Sequence, residues 1–198
     1  MFIPRFFSYI FHPVFMPLIG LFIILNSGIY SETIPANYSR FLLLIVFICD
    51  VLLPLSIIPA LIYLKHLDNI YIDEKKQRLI PLFFTTICFY IGYYVIDKFT
   101  HSILINYFLL SATVVVLGIL LISLFWKISI HMAGIGGLTG LIIILSKSYH
   151  IDMVILLCAA ILITGTIASS RLALGTHTIF ETFAGYIFGL AVILLIML

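Results

Sequence analysis

Apolar residues in this chain fall in long unbroken stretches separated by short polar junctions, and that pattern organises everything else. A helix needs about 20 apolar residues to cross a bilayer. By that measure seven spans are expected, at 13–30, 41–64, 81–96, 103–126, 131–146, 152–169 and 178–198, the third and fifth being short. None alternates with the period of two that lipid-facing barrel strands show, so the spans are read as helices. Residues 2–11, with Phe2, Phe6, Phe7, Tyr9 and Phe11, have the aromatic character of a segment lying at the membrane–water boundary.

The junctions are tight except one. Residues 65–80, from Lys65 to Asp73-Glu74-Lys75-Lys76-Gln77-Arg78, form the one strongly charged loop, which on its own reads equally well as a solvated connection. With seven spans, this loop, the junction at 127–131 and the junction at 170–177 fall on the same membrane face, since two crossings separate each from the next. That face then gathers Lys75, Lys76, Arg78, Lys127, His131, Arg171 and His177.

Composition fits this picture. Of 198 residues, 64% are hydrophobic and 9% charged, too few polar groups to clothe a soluble core. Mean hydropathy is +1.30. The expected fold is an all-α, polytopic membrane bundle of six to seven helices, built as a single domain over 1–198. A net charge of +2 offers no argument for nucleic-acid binding. Cys49, Cys88 and Cys158 lie inside apolar runs without a Cys-x-x-Cys pair and read as inert buried thiols. No small-residue cleavage pattern closes the first apolar run, so a removable signal peptide is not expected.

The most informative segment is Ser170-Arg171-Leu172-Ala173-Leu174-Gly175-Thr176-His177-Thr178-Ile179-Phe180-Glu181. His177 and Glu181, four apart, share a helix face. A carboxylate there can hold the proton of one imidazole nitrogen and leave the other as a nucleophile. Arg171 can fork onto phosphate oxygens, and a helix starting near 176–178 aims its free amides at an anion. Thr178 and Glu181 also make a capping box, a purely structural helix start, so Glu181 carries both readings.

This segment resembles the third signature of the type 2 phosphatidic acid phosphatase family, which includes the vanadium haloperoxidases: Ser-Arg, five residues, His, three residues, Asp. Ser170, Arg171 and His177 match, and Glu181 stands in the aspartate position. Ile128-Ser129-Ile130-His131 is similar to the family's Pro-Ser-Gly-His, with Ser129 and His131 aligned and the proline and glycine replaced. The family's Lys, six residues, Arg-Pro is not reproduced; Lys75-Lys76-Gln77-Arg78-Leu79-Ile80-Pro81 offers cations and a proline at other spacing. The resemblance is concentrated in residues 127–195.

It implies a metal-independent, cofactor-free hydrolase of a membrane lipid phosphate or diphosphate. Ser129, Ser170, Arg171, Lys127, Lys75 and Arg78 would bind phosphate. His177, oriented by Glu181, would form a phospho-histidine, and protonated His131 would protonate the leaving oxygen. One neutral and one charged histidine predict a bell-shaped pH profile between 5 and 8. The departures also motivate a non-catalytic relative that binds lipid headgroups or scaffolds a complex.

Other positions carry blander expectations. His12, His66, His101 and His150 sit near span ends without a motif and receive no role. Asp50, inside the second span, is expected to be neutral or hydrogen-bonded, or else to mark an ion pathway. Pro54 and Pro59 should disturb its helix, and Gly134, Gly136, Gly137 and Gly140 should permit close packing. Lys and Arg number seven on the site face (Arg5, Lys65, Lys75, Lys76, Arg78, Lys127, Arg171) and three on the other (Arg40, Lys98, Lys147). Five of the seven, Lys75, Lys76, Arg78, Lys127 and Arg171, are phosphate-ligand candidates, so the positive-inside count does not fix orientation. The resemblance implies a bacterial inner-membrane protein whose site faces away from the cytoplasm.

Overall fold

A computed structural model describes residues 6, 8–30, 34–64 and 77–198. A short turn of 3-10 helix, Pro13–Phe15, leads into α1 (Met16–Asn26). Next come α2 (Ala36–Val46), a π-helical turn (Phe47–Leu52) and α3 (Leu53–Tyr63), continuous with one another. The remaining helices are α4 (Leu79–Phe99), α5 (Ile103–Ser123), α6 (Ile130–Ser148), α7 (Val154–Ala173) and α8 (Ile179–Met197). Among the described residues there is no strand. Among the described residues, seven stretches are long and apolar enough to cross a membrane, with Ser8–Asn26 as the first and Ala36–Tyr63 as the second. The chain is an all-α, multi-pass helical membrane bundle.

Four spans differ from expectation in instructive ways. The first begins at Ser8 and ends at Asn26, because Ser27 closes the helix and Gly28 turns with φ 89°. Ser8, Tyr9 and Ile10 are therefore part of the folded span rather than a separate interfacial segment; residues 1–5 and 7 lie outside the described set. The short third and fifth runs extend to Leu79–Phe99 and Ile130–Ser148, since helices carry past the last apolar residue to their polar ends. In the second span, Pro54 has no N–H to give the carbonyl four residues back. The chain passes that point in a π-helical turn rather than breaking.

The lipid-facing surface is what the sequence requires. Ile155, Leu162 and Leu195 are 85%, 72% and 82% exposed, a costly arrangement in water and a neutral one in lipid. The inverse holds for α6, where 67% of the span is buried against 17% for α7. Small residues make that central position possible. A Cβ added at Gly185 on α8 would strike the Ser129 carbonyl and come within 3.2 Å of Met132 Cβ; one at Gly189 would strike the Ala133 carbonyl. In return, a Cβ at Gly136 would strike the Tyr186 carbonyl. The packing role expected of Gly136 is thus met by two backbones in direct apposition. This apposition sets the starts of α6 and α8, where the chemistry-bearing residues lie, side by side.

Candidate active site

The loop between α7 and α8 is built by its own hydrogen bonds. Gly175 adopts φ 64°, and its N–H donates to the Leu172 carbonyl at 2.9 Å. Thr176 donates to the Arg171 carbonyl through both its backbone N–H (3.3 Å) and its hydroxyl (3.2 Å). The chain then enters α8 through a complete capping box: Thr178 Oγ1 accepts the Glu181 N–H at 3.3 Å, and Glu181 Oε2 accepts the Thr178 N–H at 2.9 Å. The same Oε2 accepts from His177 Nδ1 at 3.2 Å. The two expectations for Glu181, cap and imidazole partner, are satisfied at once by a single oxygen.

The imidazole of His177 is nearly buried, with 3% of its side chain exposed. Its pKa is pushed down to about 4 by burial first, then by the positive charges of Arg171 and Arg78, with Glu181 opposing. His177 is therefore neutral throughout the range from pH 5 to 8, the protonation state a nucleophile requires.

Arg78 is delivered from the start of α4 and is 6% exposed. Its Nη2 donates to the Ile128 carbonyl at 3.1 Å, fixing the guanidinium beside the start of α6. Its Nη1 is buried and has no hydrogen-bond partner among the described residues. Burial, followed by the charge of Arg171, lowers its pKa to about 10, so it stays cationic at neutral pH. Ser129 is fully buried, its N–H donates to the Glu181 carbonyl at 3.2 Å, and its hydroxyl likewise lacks a partner among the described residues. It does not cap α6 with its side chain, so helix geometry leaves the first-turn amides of α6 without intrahelical acceptors.

His131, in the first turn of α6, donates from Nε2 to the Ser8 carbonyl at 3.2 Å. His12 stands edge-on to its ring, centroids 5.5 Å apart and planes at 79°. Arg171, on the last turn of α7, is close enough for its charge to act on His12, His131, His177 and Arg78 together. The charge of His177 also acts on His131. Among the described residues, this cluster therefore gathers two arginines, three histidines and a single carboxylate, with unengaged donors on Arg78 and Ser129.

Other expected ligands fare differently. Ser170 is buried, but its hydroxyl donates to the Thr166 carbonyl at 2.7 Å, so in this rotamer it offers an anion only lone pairs. Lys127 has no hydrogen bond or ion pair among the described residues, the arrangement of a snorkelling helix-end lysine. Lys75 lies outside the described residues. Ser8 and His12 belong to the cluster and carried no expected role. By span counting His12 shares the membrane face of His131 and His177, but nothing local in the sequence pairs it with either.

No protein-family model, no curated protein and no solved structure matches this chain.

Proposed function

We propose that this chain is a membrane-embedded phosphatase that hydrolyses a lipid phosphate or diphosphate through a phospho-histidine. The observation that carries the reading is His177: held at Nδ1 by Glu181 at 3.2 Å and close enough to Arg171 and Arg78 for both charges to keep it neutral, with His131 within reach of its charge. A histidine held at one nitrogen presents a lone pair at the other, and flanking guanidiniums stabilise the charge of a phosphoryl group in transfer. The similarity of Ser170-Arg171 through Glu181 and of Ser129 and His131 to the phosphatidic acid phosphatase signatures supports the same reading.

In this mechanism the phosphoryl oxygens lie against Arg171, Arg78, the Ser129 hydroxyl and the first-turn amides of α6. His177 Nε2 attacks phosphorus as the bond to the leaving oxygen breaks, and protonated His131 gives that oxygen its proton. Water then attacks the phospho-histidine, His131 takes a proton from it, the P–N bond breaks, and inorganic phosphate leaves. Side chains and water supply every step drawn. The lipid-facing spans and the site's place at a membrane edge favour a substrate whose headgroup sits in the interface while its chains remain in lipid. On the resemblance, the protein belongs to a bacterial inner membrane with its site away from the cytoplasm.

A second reading, a headgroup-binding or scaffold protein without turnover, is favoured by Ile130 in place of the family's glycine and by engagement of His131 with Ser8. Purified protein in detergent–lipid micelles, given phosphatidic acid, phosphatidylglycerol phosphate and a polyprenyl diphosphate, separates the two. Phosphate release lost in His177→Ala is the expected result. Headgroup binding with no release from any of the three would leave the scaffold reading.

A further inference from the structure

The N-terminal segment carries a feature that the phosphatase reading leaves unexplained. Ser8–Asn26 enters the membrane at the site edge, and its first turns lie across the start of α6. Gly134 makes the approach possible: a Cβ there would sit 3.2 Å from Pro13 Cβ and 3.0 Å from Met16 Cγ. The segment brings two groups to His131, the Ser8 carbonyl on Nε2 at 3.2 Å and the His12 ring edge-on at 5.5 Å.

The tautomer follows. A carbonyl only accepts, so the Nε2 of His131 carries a hydrogen and donates it. The nitrogen left to gain and release a proton is Nδ1, which has no hydrogen-bond partner among the described residues. His177 is arranged in mirror fashion, with Nδ1 held by Glu181 and Nε2 left over. His12 has its own constraint: its Nδ1 accepts the Val14 N–H at 3.4 Å, capping the 3-10 turn. Protonating that nitrogen would cost the cap, so His12 is suited to stay neutral beside a histidine that must become charged. The other charged or titratable groups that act on His131 are Arg171 from α7 and His177 from the loop before α8.

Resting on the phosphatase reading, we propose that Ser8 and His12 are the positioning residues of the proton donor, fixing His131 so that Nδ1 is the nitrogen that hands its proton to the leaving oxygen. As the P–O bond breaks, the leaving oxygen takes the Nδ1 proton. In the second half-reaction Nδ1 recovers a proton from the attacking water while Nε2–H stays on the Ser8 carbonyl. His12 touches neither phosphate nor leaving group; it acts through the ring it packs against.

The full-length chain tests this through three substitutions and one spectrum. His12→Ala should lower kcat by about tenfold or more and leave KM within about twofold, the signature of a misaimed catalytic group. His12→Phe keeps a ring against His131 and should recover most of that rate. His12→Asn keeps only an acceptor for Val14 and should not. A 15N-histidine spectrum of the wild type should show His131 with its proton on Nε2, and His12→Ala should mix the tautomers. Rescue by Asn but not Phe would reduce His12 to a cap and overturn the proposal, as would a wild-type kcat in His12→Ala. If wild type and His177→Ala alike release no phosphate, the phosphatase reading fails, and the spectrum still decides positioning. A neutral His131 found with its single proton on Nδ1, or a tautomer unaffected by His12→Ala, defeats it.

Discussion

Glu181 Oε2 stands 3.2 Å from His177 Nδ1 and 2.9 Å from the Thr178 backbone nitrogen, so one carboxylate oxygen both starts α8 and aims the imidazole. The two jobs can be separated by chemistry. Glu181→Gln keeps an oxygen that can accept from Thr178, yet it has no charge to stabilise the imidazole ring in the proposed phospho-histidine. Its amide can also turn an N–H toward Nδ1 and reverse the tautomer. The expected outcome is a kcat lower by about a hundredfold or more with little change in thermal stability, the pattern of a triad orienter. Glu181→Ala should lose activity and also about 1 kcal/mol of stability through the cap. Steady-state kinetics with thermal unfolding in detergent reads both. A Gln variant with wild-type turnover would reduce Glu181 to its structural job.

The lowered pKa of His177 sets a pH window. Its folded value is about 4 against an ordinary 6.5, so the unfolded chain takes up a proton between pH 6.5 and 4 that the folded chain refuses. The native state is therefore disfavoured progressively as pH falls through that interval, with no further penalty from this group below it. Unfolding temperatures of wild type and His177→Gln between pH 4 and 7 should diverge, the wild type losing stability more steeply toward acid. The same displacement puts the nucleophile's acid limb in the rate profile near pH 4. Parallel stability curves would mean that His177 titrates normally.

Arg78 distinguishes charge from geometry. Its guanidinium holds the Ile128 carbonyl with one nitrogen and keeps another buried without a partner among the described residues. Lysine supplies the charge at a single point and cannot reach both. Arg78→Lys should raise KM for a lipid phosphate more than it lowers kcat, while Arg78→Ala should cost about a hundredfold or more in kcat/KM, the scale of a lost transition-state donor. Equal kinetics for Lys and Arg would remove the bidentate role.

Much of this was legible in the sequence, for reasons particular residues make plain. Lipid forces every backbone group to be satisfied within its own helix, so span count and facing follow from run length alone. His177 and Glu181 were legible because their spacing is local and both ends of the contact lie on one turn. Ser8 and His12 were not, because their meeting with His131 joins segments about 120 residues apart, and nothing local marks one side of such a contact. The π-helical turn at Phe47–Leu52 was hidden too: Pro54 announces a disturbed helix without saying how the chain absorbs it.

The α6–α8 apposition predicts a gradient of effect along one helix. Gly185→Ala would push a methyl against the Ser129 carbonyl, beside the site, and Gly189→Ala against the Ala133 carbonyl, one turn deeper. Each should destabilise by about 1–3 kcal/mol through overpacking. Gly185→Ala should cost more activity, because it parts Ser129 and His131 from His177. Gly165 on α7 is the control: no atom lies within 4 Å of an added Cβ, and alanine there should be neutral or stabilising by up to about 1 kcal/mol. Activity lost equally at 185 and 189 would mean that the register of the two helices, rather than the spacing at their starts, is what the site needs.

Asp50 tests whether the membrane interior does anything besides hold the site. Its carboxyl is 1% exposed in the π-helical turn, Oδ1 has no partner among the described residues, and Gly92 on α4 gives it room, since a Cβ there would strike that oxygen. An unpaired carboxylate is costly in such a place. If the group is merely tolerated, the near-isosteric Asp50→Asn should leave phosphate release unchanged and stability equal or higher, because an amide avoids any ionisation cost. If it belongs to an ion pathway, the same variant should abolish substrate-driven proton movement in reconstituted vesicles while the protein stays folded. A pH-sensitive dye inside the vesicles, read for wild type and Asp50→Asn side by side, decides the matter. The position of the carboxyl favours the tolerated state: it lies buried inside the second span, and Oδ1 has no hydrogen-bond partner among the described residues through which a proton could pass.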